Sequence, residues 1–284
     1  AHLAQTGRRR HDRRGVDRPQ LEPESVIDTD ETAGVLTVTL ADEEHRNALS
    51  VHLLEELSDV LDDAEADDGV RVIVLTNSGR VFCAGADLSE RSGRRAAAPP
   101  RHSVAPADLF ARFGRSRKPF VGRIAGHCVA GGMGLAAAMD IAIALDTATM
   151  GFTEVRIGVA PAMISVLCLP KMRAADARAA FLRGNRFLAP EAARMGLIHA
   201  AVPAAELDTA VEAVVQDLLA GGPEALAANK QLLARVPQMT TDDAFAWTAE
   251  LSAELFRGDE AREGMAAFLE KRPAAWIPDT ARGS

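Results

Sequence analysis

VFCAGADL at residues 81–88 and AGHCVAGGMGLAAAMD at residues 125–140 decide the fold of this chain. Each passes from a short apolar run into a glycine-rich turn and then into a stretch of helical character, so each reads as a strand-to-helix turn. Glycine at such a turn lets a ligand approach the backbone closely, and the first N–H groups of the following helix have no acceptor inside it. Such turns can face an anion. Neither turn contains GxGxxG or GxxxxGK[ST], so neither favours a nucleotide over other ligands, and each taken singly also reads as an ordinary turn.

Outward from these turns the pattern is strand, helix, strand. VRVIVLTN (70–77) is a continuous apolar run rich in β-branched residues, the signature of a buried strand. Upstream, GVLTVTL (34–40) alternates Leu36, Val38 and Leu40 with threonines, the period of a half-buried strand, and here the first strand is expected. Ser50 is a good helix N-cap before a run in which Leu53, Leu54, Leu57, Val60, Leu61 and Ala64 recur at helical spacing. Residues 120–124 and 141–144 are further short strands, separated by a Gly- and Ala-rich helix over 131–139. Beyond Ala204 strand signals vanish and the chain is helical up to Phe268, whereas RSGRRAAAPPRHSVAP (91–106) has no periodicity and reads as a mobile surface loop.

The expected organisation is therefore α/β, with a disordered extension over 1–21, a core with the binding site over 22–203, and a helical part over 204–284. The extension is Arg-rich and has no apolar h-region, so it is not a secretory signal; an organellar presequence is the alternative to disorder. With 284 residues, 48% of them hydrophobic, the chain can bury a large core. A net charge of -8 argues against a nucleic-acid or anionic-membrane surface, and no apolar run reaches the roughly 20 residues of a membrane helix. Cys83, Cys128 and Cys168 are scattered in apolar surroundings, as buried reduced thiols of a cytoplasmic protein would be, and no spacing suggests a metal site.

FCAGADL, GHCVAGGMGLAAAMDIAIA and GFTEVRIGVAP together, in this order and spacing, resemble the enoyl-CoA hydratase/isomerase (crotonase) superfamily. HRNAL (45–49), LAPEAARMGLI (188–198) and REGMAAFLEKRPAAW (262–276) extend the likeness to nearly everything after Leu21. The resemblance implies a crotonase-like ββα spiral core with a helical C-terminal oligomerisation part, and an enzyme of fatty-acid or other lipid metabolism that acts on a CoA thioester. It implies no separate cofactor, because coenzyme A is part of the substrate, and no metal. A homotrimer or a dimer of trimers follows by analogy.

Carried over by position, the N–H groups of Ala86 and Gly131 form the family's oxyanion hole. Removing a proton alpha to a thioester places negative charge on its oxygen, and fixed donors in a dry site stabilise that charge. Hydratases of the family usually carry one glutamate three residues after the second of these positions and another about twenty residues further on. Here the first position is Gly134 and the second is Glu154, which leaves Glu154 as the inherited catalytic carboxylate. By itself Glu154 would read as a surface residue paired with Arg156 on one face of a strand. Likeness of TEVRIGVAPAMIS to a branch that hydrates methylglutaconyl-type thioesters, which tolerates glycine at the first position, suggests instead that Arg156 meets a carboxylate on the acyl chain.

For CoA, the family's contacts fall on Arg46, Asn47 and Ala48 and on Ala84, Gly85, Asp87 and Leu88, with Phe268 and Lys271 reaching the adenine end of a neighbouring subunit's CoA. A lysine common in the family two residues after the aspartate of GAD is Ser89 here, and Arg91, Arg94 or Arg95 would replace its phosphate contact. His127 reads as a hydrogen-bonded supporting residue or a core histidine rather than a base. Three activities stay open: hydration of a 2-enoyl-CoA, isomerisation of a 3-enoyl-CoA with one carboxylate, and acyl-CoA binding without catalysis.

Overall fold

A computed structural model describes residues 25–97 and 100–278. The chain enters through β1 (Ile27–Thr32), turns at Ala33 and Gly34, and returns antiparallel as β2 (Val35–Leu40), where Leu36, Val38 and Leu40 are buried as their alternation requires. β1 was not visible in the sequence because IDTDET buries only Ile27; it is an edge strand with a polar outer side. Ser50 caps α1 (Val51–Ala66) by accepting the Leu53 N–H, and Leu53, Leu54, Leu57, Leu61 and Ala64 form its buried stripe.

From there the chain repeats one unit, strand, strand, helix. β3 (Val72–Asn77) is followed by β4 (Val81–Cys83) and α2 (Leu88–Arg91). After α3 (Pro106–Arg115) come β5 (Phe120–Ile124), β6 (His127–Val129) and α4 (Gly131–Ala138). Then β7 (Ile141–Leu145) and β8 (Thr149–Gly151) lead through a 3-10 turn (Glu154–Ile157) to α5 (Ala162–Cys168). The first strand of each pair joins a large sheet and the second a small one. α6 (Ala174–Arg183), β9 (Phe187–Leu188), α7 (Ala189–Met195) and β10 (Ala200–Val202) close the two sheets. Their orders are β1-β2-β3-β5-β7-β10 and β4-β6-β8-β9, with every pairing parallel except β1 with β2 and β8 with β9. Alternation between sheets makes the path a spiral, as the crotonase resemblance implies.

Among the described residues the last strand ends at Val202, and four α-helices follow: α8 (Leu207–Ala220), α9 (Pro223–Arg235), α10 (Thr241–Arg257) and α11 (Asp259–Glu270). α8 is part of the core. Its residues Leu207, Val211, Val215 and Leu219, spaced by four, pack on Val72, Val74, Val121 and Ile143 of the large sheet. α9 is tied down by Lys230, whose ammonium donates to the carbonyls of Phe113 and Lys118 and pairs with Asp140 at 2.7 Å. α10 contrasts with both. It buries no residue, and Phe245 and Phe256 are exposed on it. Between α2 and α3 the described residues form no regular element and are mostly exposed, while residues 1–24, and with them the expected extension, lie outside the described residues.

Candidate functional site

β4, β6 and β8 are neighbours in the small sheet and run parallel, so the segments leaving their C-terminal ends emerge side by side. Those segments are GADL, AGGMG and FTE. Gly85 lies at φ +85°, and a Cβ there would stand 2.7 Å from the Gly131 nitrogen and 2.8 Å from the Ala130 Cβ, so only glycine lets the first two turns touch. Ala130, just before α4, takes φ 51° and ψ -126°, a costly conformation for a residue with a side chain, and it aims the helix start at the first turn. The Leu49 N–H donates to the Gly85 carbonyl at 2.8 Å and holds that turn from its other side.

Ala86 and Gly131 are thereby brought together: a Cβ on Gly131 would lie 3.5 Å from the Ala86 nitrogen. Both line a cleft of about 690 Å³. Among the described residues neither N–H is taken by a protein acceptor, which for Gly131 follows from its place as first residue of α4.

Glu154 opens the 3-10 turn after β8 and lines the same cleft. It is half-buried and shares the cleft with Phe110, Ile157 and Ile164, its Oε2 is shielded with no hydrogen-bond partner among the described residues, and burial raises its pKa above the ordinary glutamate value. The ion pair with Arg156 does not form. Residues 154–157 coil as a 3-10 turn instead of extending as a strand, and the Arg156 guanidinium donates to the carbonyls of Arg183 and Gly184 at the end of α6. The same bonds remove Arg156 as a contact for an acyl carboxylate, since it does not line the cleft.

Glycine at 134 has a steric cause. A Cβ there would lie 2.3 Å from the Ile164 Cγ2 and 3.3 Å from the Phe110 Cε1, so Ile164, from the start of α5, occupies the space into which a side chain at 134 would grow.

Ala84 and Leu88 line the cleft, and Arg91 and Ser92 join them. Asp87 serves the turn itself: its carboxylate accepts the N–H groups of Ser89 and Glu90 and pairs with Arg95, so Arg95 is not free for a phosphate. Asn47 is fully buried and donates to the Val81 carbonyl at 2.7 Å, while the Arg46 carbonyl accepts the Ala84 N–H. The backbone of Arg46, Asn47 and Ala48 thus runs beside the first turn and supports it, and Leu49, the next residue, reaches the cleft. Phe268 and Lys271 lie at the end of α11, with Phe268 82% exposed, and do not line the cleft.

His127 is not a core histidine: it is exposed on β6, accepts the Thr149 N–H at 2.9 Å and stands outside the cleft. The three cysteines are buried, and burial pushes the thiols of Cys83 and Cys168 up to about 12. Among the described residues no group of three His, Cys, Asp or Glu could hold a metal, and no helix is long and apolar enough to cross a membrane. Sequence reasoning missed Phe110, Thr153, Ile157, Val159, Met163 and Ile164. The run VAPAMI directly after the Glu154 turn was the available signal for the last of these.

A relative from Thermus thermophilus whose name includes enoyl-CoA hydratase is 37% identical over 246 residues, covering 86% of this chain and 97% of that protein. The short-chain-enoyl-CoA hydratase of Clostridium acetobutylicum is 29% identical over 84% of this chain and 92% of its own length. Among solved structures, an enoyl-CoA hydratase from Mycobacterium smegmatis superposes with a TM-score of 0.80 at 29% identity, over 89% of this chain and 99% of that one. AtuE of Pseudomonas aeruginosa superposes at 0.81 and 30%, over 89% and 100%. The family model described as enoyl-CoA hydratase/isomerase matches residues 30–278, and the chain belongs to that family.

Proposed function

We propose that this protein is a hydro-lyase that adds water to a 2-enoyl-CoA thioester. The observation that carries the reading is that two unengaged main-chain donors, at Ala86 and Gly131, share one cleft with a carboxylate of raised pKa, Glu154. With the thioester oxygen on the two N–H groups, water attacks the β-carbon, and the Glu154 carboxylate takes the proton that the water releases. Charge accumulates on the thioester oxygen as an enolate. Glu154, now protonated, returns a proton to the α-carbon, which restores the carboxylate and leaves a 3-hydroxyacyl-CoA. A donor of this kind is worth about 3–4 kcal/mol of barrier, and positioned proton transfer about 10²–10⁴-fold in rate.

The CoA moiety would run along the backbone of residues 46–48 and 84–88, with Arg91 as the cation nearest the cleft. The exposed faces of α10 and α11 favour self-assembly into a trimer or a dimer of trimers, in which Phe268 and Lys271 would complete a neighbour's site. We place the enzyme in the cytoplasm and in lipid metabolism. A second reading, isomerisation of a 3-enoyl-CoA, is favoured by the Ile164 contact at Gly134, which leaves one carboxylate to move a proton between two carbons. Incubation with crotonyl-CoA and with a 3-enoyl-CoA, with products separated by chromatography, tests both. Formation of 3-hydroxybutyryl-CoA supports the hydratase, 2-enoyl product alone supports the isomerase, and binding without turnover of either leaves only an acyl-CoA carrier.

A further inference from the structure

The wall of the cleft beside Glu154 is made of side chains that have nothing to offer a charged substrate. Phe110 and Ile164 are nearly fully buried and meet at Gly134, while Ile157, Val159 and Met163 continue the apolar surface outward. Among the described residues lining the cleft the charged ones are Glu154 and Arg91, and Arg91 is an exposed residue at the end of α2, open to solvent. The remaining side-chain polar groups there belong to Ser92 and Thr153. Arg156, next but one to Glu154 in the chain, is held away by the carbonyls of Arg183 and Gly184.

From this distribution we infer that the cleft selects acyl groups without charge, with the Phe110 and Ile164 wall and the Glu154 carboxylate as the specificity determinants against thioesters of dicarboxylic acids. The inference rests on the reading of the cleft as a thioester site. A terminal carboxylate entering beside Phe110 and Ile164 loses its water, gains no cation and meets the like charge of Glu154. An apolar chain of the same length loses nothing and buries its methylenes.

Hexanoyl-CoA and adipoyl-CoA have six-carbon acyl chains and the same CoA, so the ratio of their dissociation constants isolates the terminal group. Both are saturated, so binding is read without turnover, by calorimetry on the assembled protein. Hexanoyl-CoA is expected to bind at least about tenfold more tightly, the least that an unpaired buried charge should cost. Glu154→Gln should narrow that ratio by removing the like charge. Met163→Lys, at a half-exposed position on the cleft that tolerates a long side chain, should narrow it further by supplying a cation. Equal or tighter binding of adipoyl-CoA by the parent, or a ratio that neither substitution moves, overturns the inference while leaving the thioester site intact. Failure of both ligands to bind removes the thioester reading itself, and this inference with it.

Discussion

Replacing Gly134 with glutamate puts back the carboxylate that most hydratases of this family carry, and the structure says what else must change for it to fit. The new Cβ would sit 2.3 Å from the Ile164 Cγ2, where carbon atoms in contact prefer roughly 3.5–4.0 Å, so more than an ångström of movement is needed in a wall also held by Phe110. Overpacking of this kind costs about 1–3 kcal/mol. In a chain of this size that lowers Tm by about 2–12 °C. Truncating Ile164→Ala removes the Cγ2 and leaves the Ile164 Cβ at 3.0 Å from the new atom, a contact that small shifts relieve. Alone, Ile164→Ala leaves a void and costs about 2–5 kcal/mol. Together the two changes fill each other's defect, so the pair should be more stable than the sum of the singles by about 1–3 kcal/mol, the range expected of residues in direct contact. Urea denaturation of the parent, both singles and the double at one protein concentration closes the cycle. A coupling energy within about 0.5 kcal/mol of zero would refute the claim that Ile164 is what keeps position 134 a glycine. In the double variant, hydration of crotonyl-CoA should rise relative to isomerisation of a 3-enoyl-CoA.

Glu154→Gln should keep acyl-CoA binding and cut turnover about 10²–10⁴-fold, measured with crotonyl-CoA; a loss of only a few-fold would make Glu154 structural. Because burial raises the Glu154 pKa, its protonated form is favoured in the folded state, so its contribution to stability is present at low pH and is lost as pH rises through the folded value. The Gln variant should therefore gain stability relative to the parent at neutral pH, and the parent's hydration rate should fall with acidification at a higher pH than an ordinary carboxylate would give. Lys230→Ala leaves Asp140 and two carbonyls without their cation and should cost about 3 kcal/mol in urea titrations, with little change in the active cleft that Lys230 does not line. Phe245→Asp with Phe256→Asp should lower the mass seen by light scattering, and an unchanged mass would remove α10 as the proposed self-assembly surface.

What was legible in the sequence were the features that repeat or are locally enforced. Alternation located β2, spacing located α1 and its cap at Ser50, and the family resemblance, more than the glycine-rich turns themselves, pointed to the N–H groups of Ala86 and Gly131. β1 was invisible because one buried residue in six leaves no period. The small sheet was also missed as a sheet, because strands of two and three residues carry no pattern of their own, although β4, β6 and β8 are what gather the site. Glu154 stood out only through the motifs around it. The vacancy of a side chain at 134 could be read, whereas its reason could not: Ile164 is thirty positions further on, and nothing local links the two. Arg156 looked available because charge is visible in a sequence and the carbonyls that bind it are not.

Two of the three groups assigned to the reaction are peptide N–H groups, and this fixes how the protein can vary. Any residue except proline at position 86 still has the N–H, so point mutation can rarely delete it. Position 85 is the vulnerable one, because the first β-carbon added there runs into the Gly131 nitrogen. On the proposed mechanism, polarising a thioester is thus a heritable property of the chain path, whereas which proton moves, and where, depends on one or two codons. A lineage can exchange acids around a fixed anion cradle and so acquire a different reaction without having to refold.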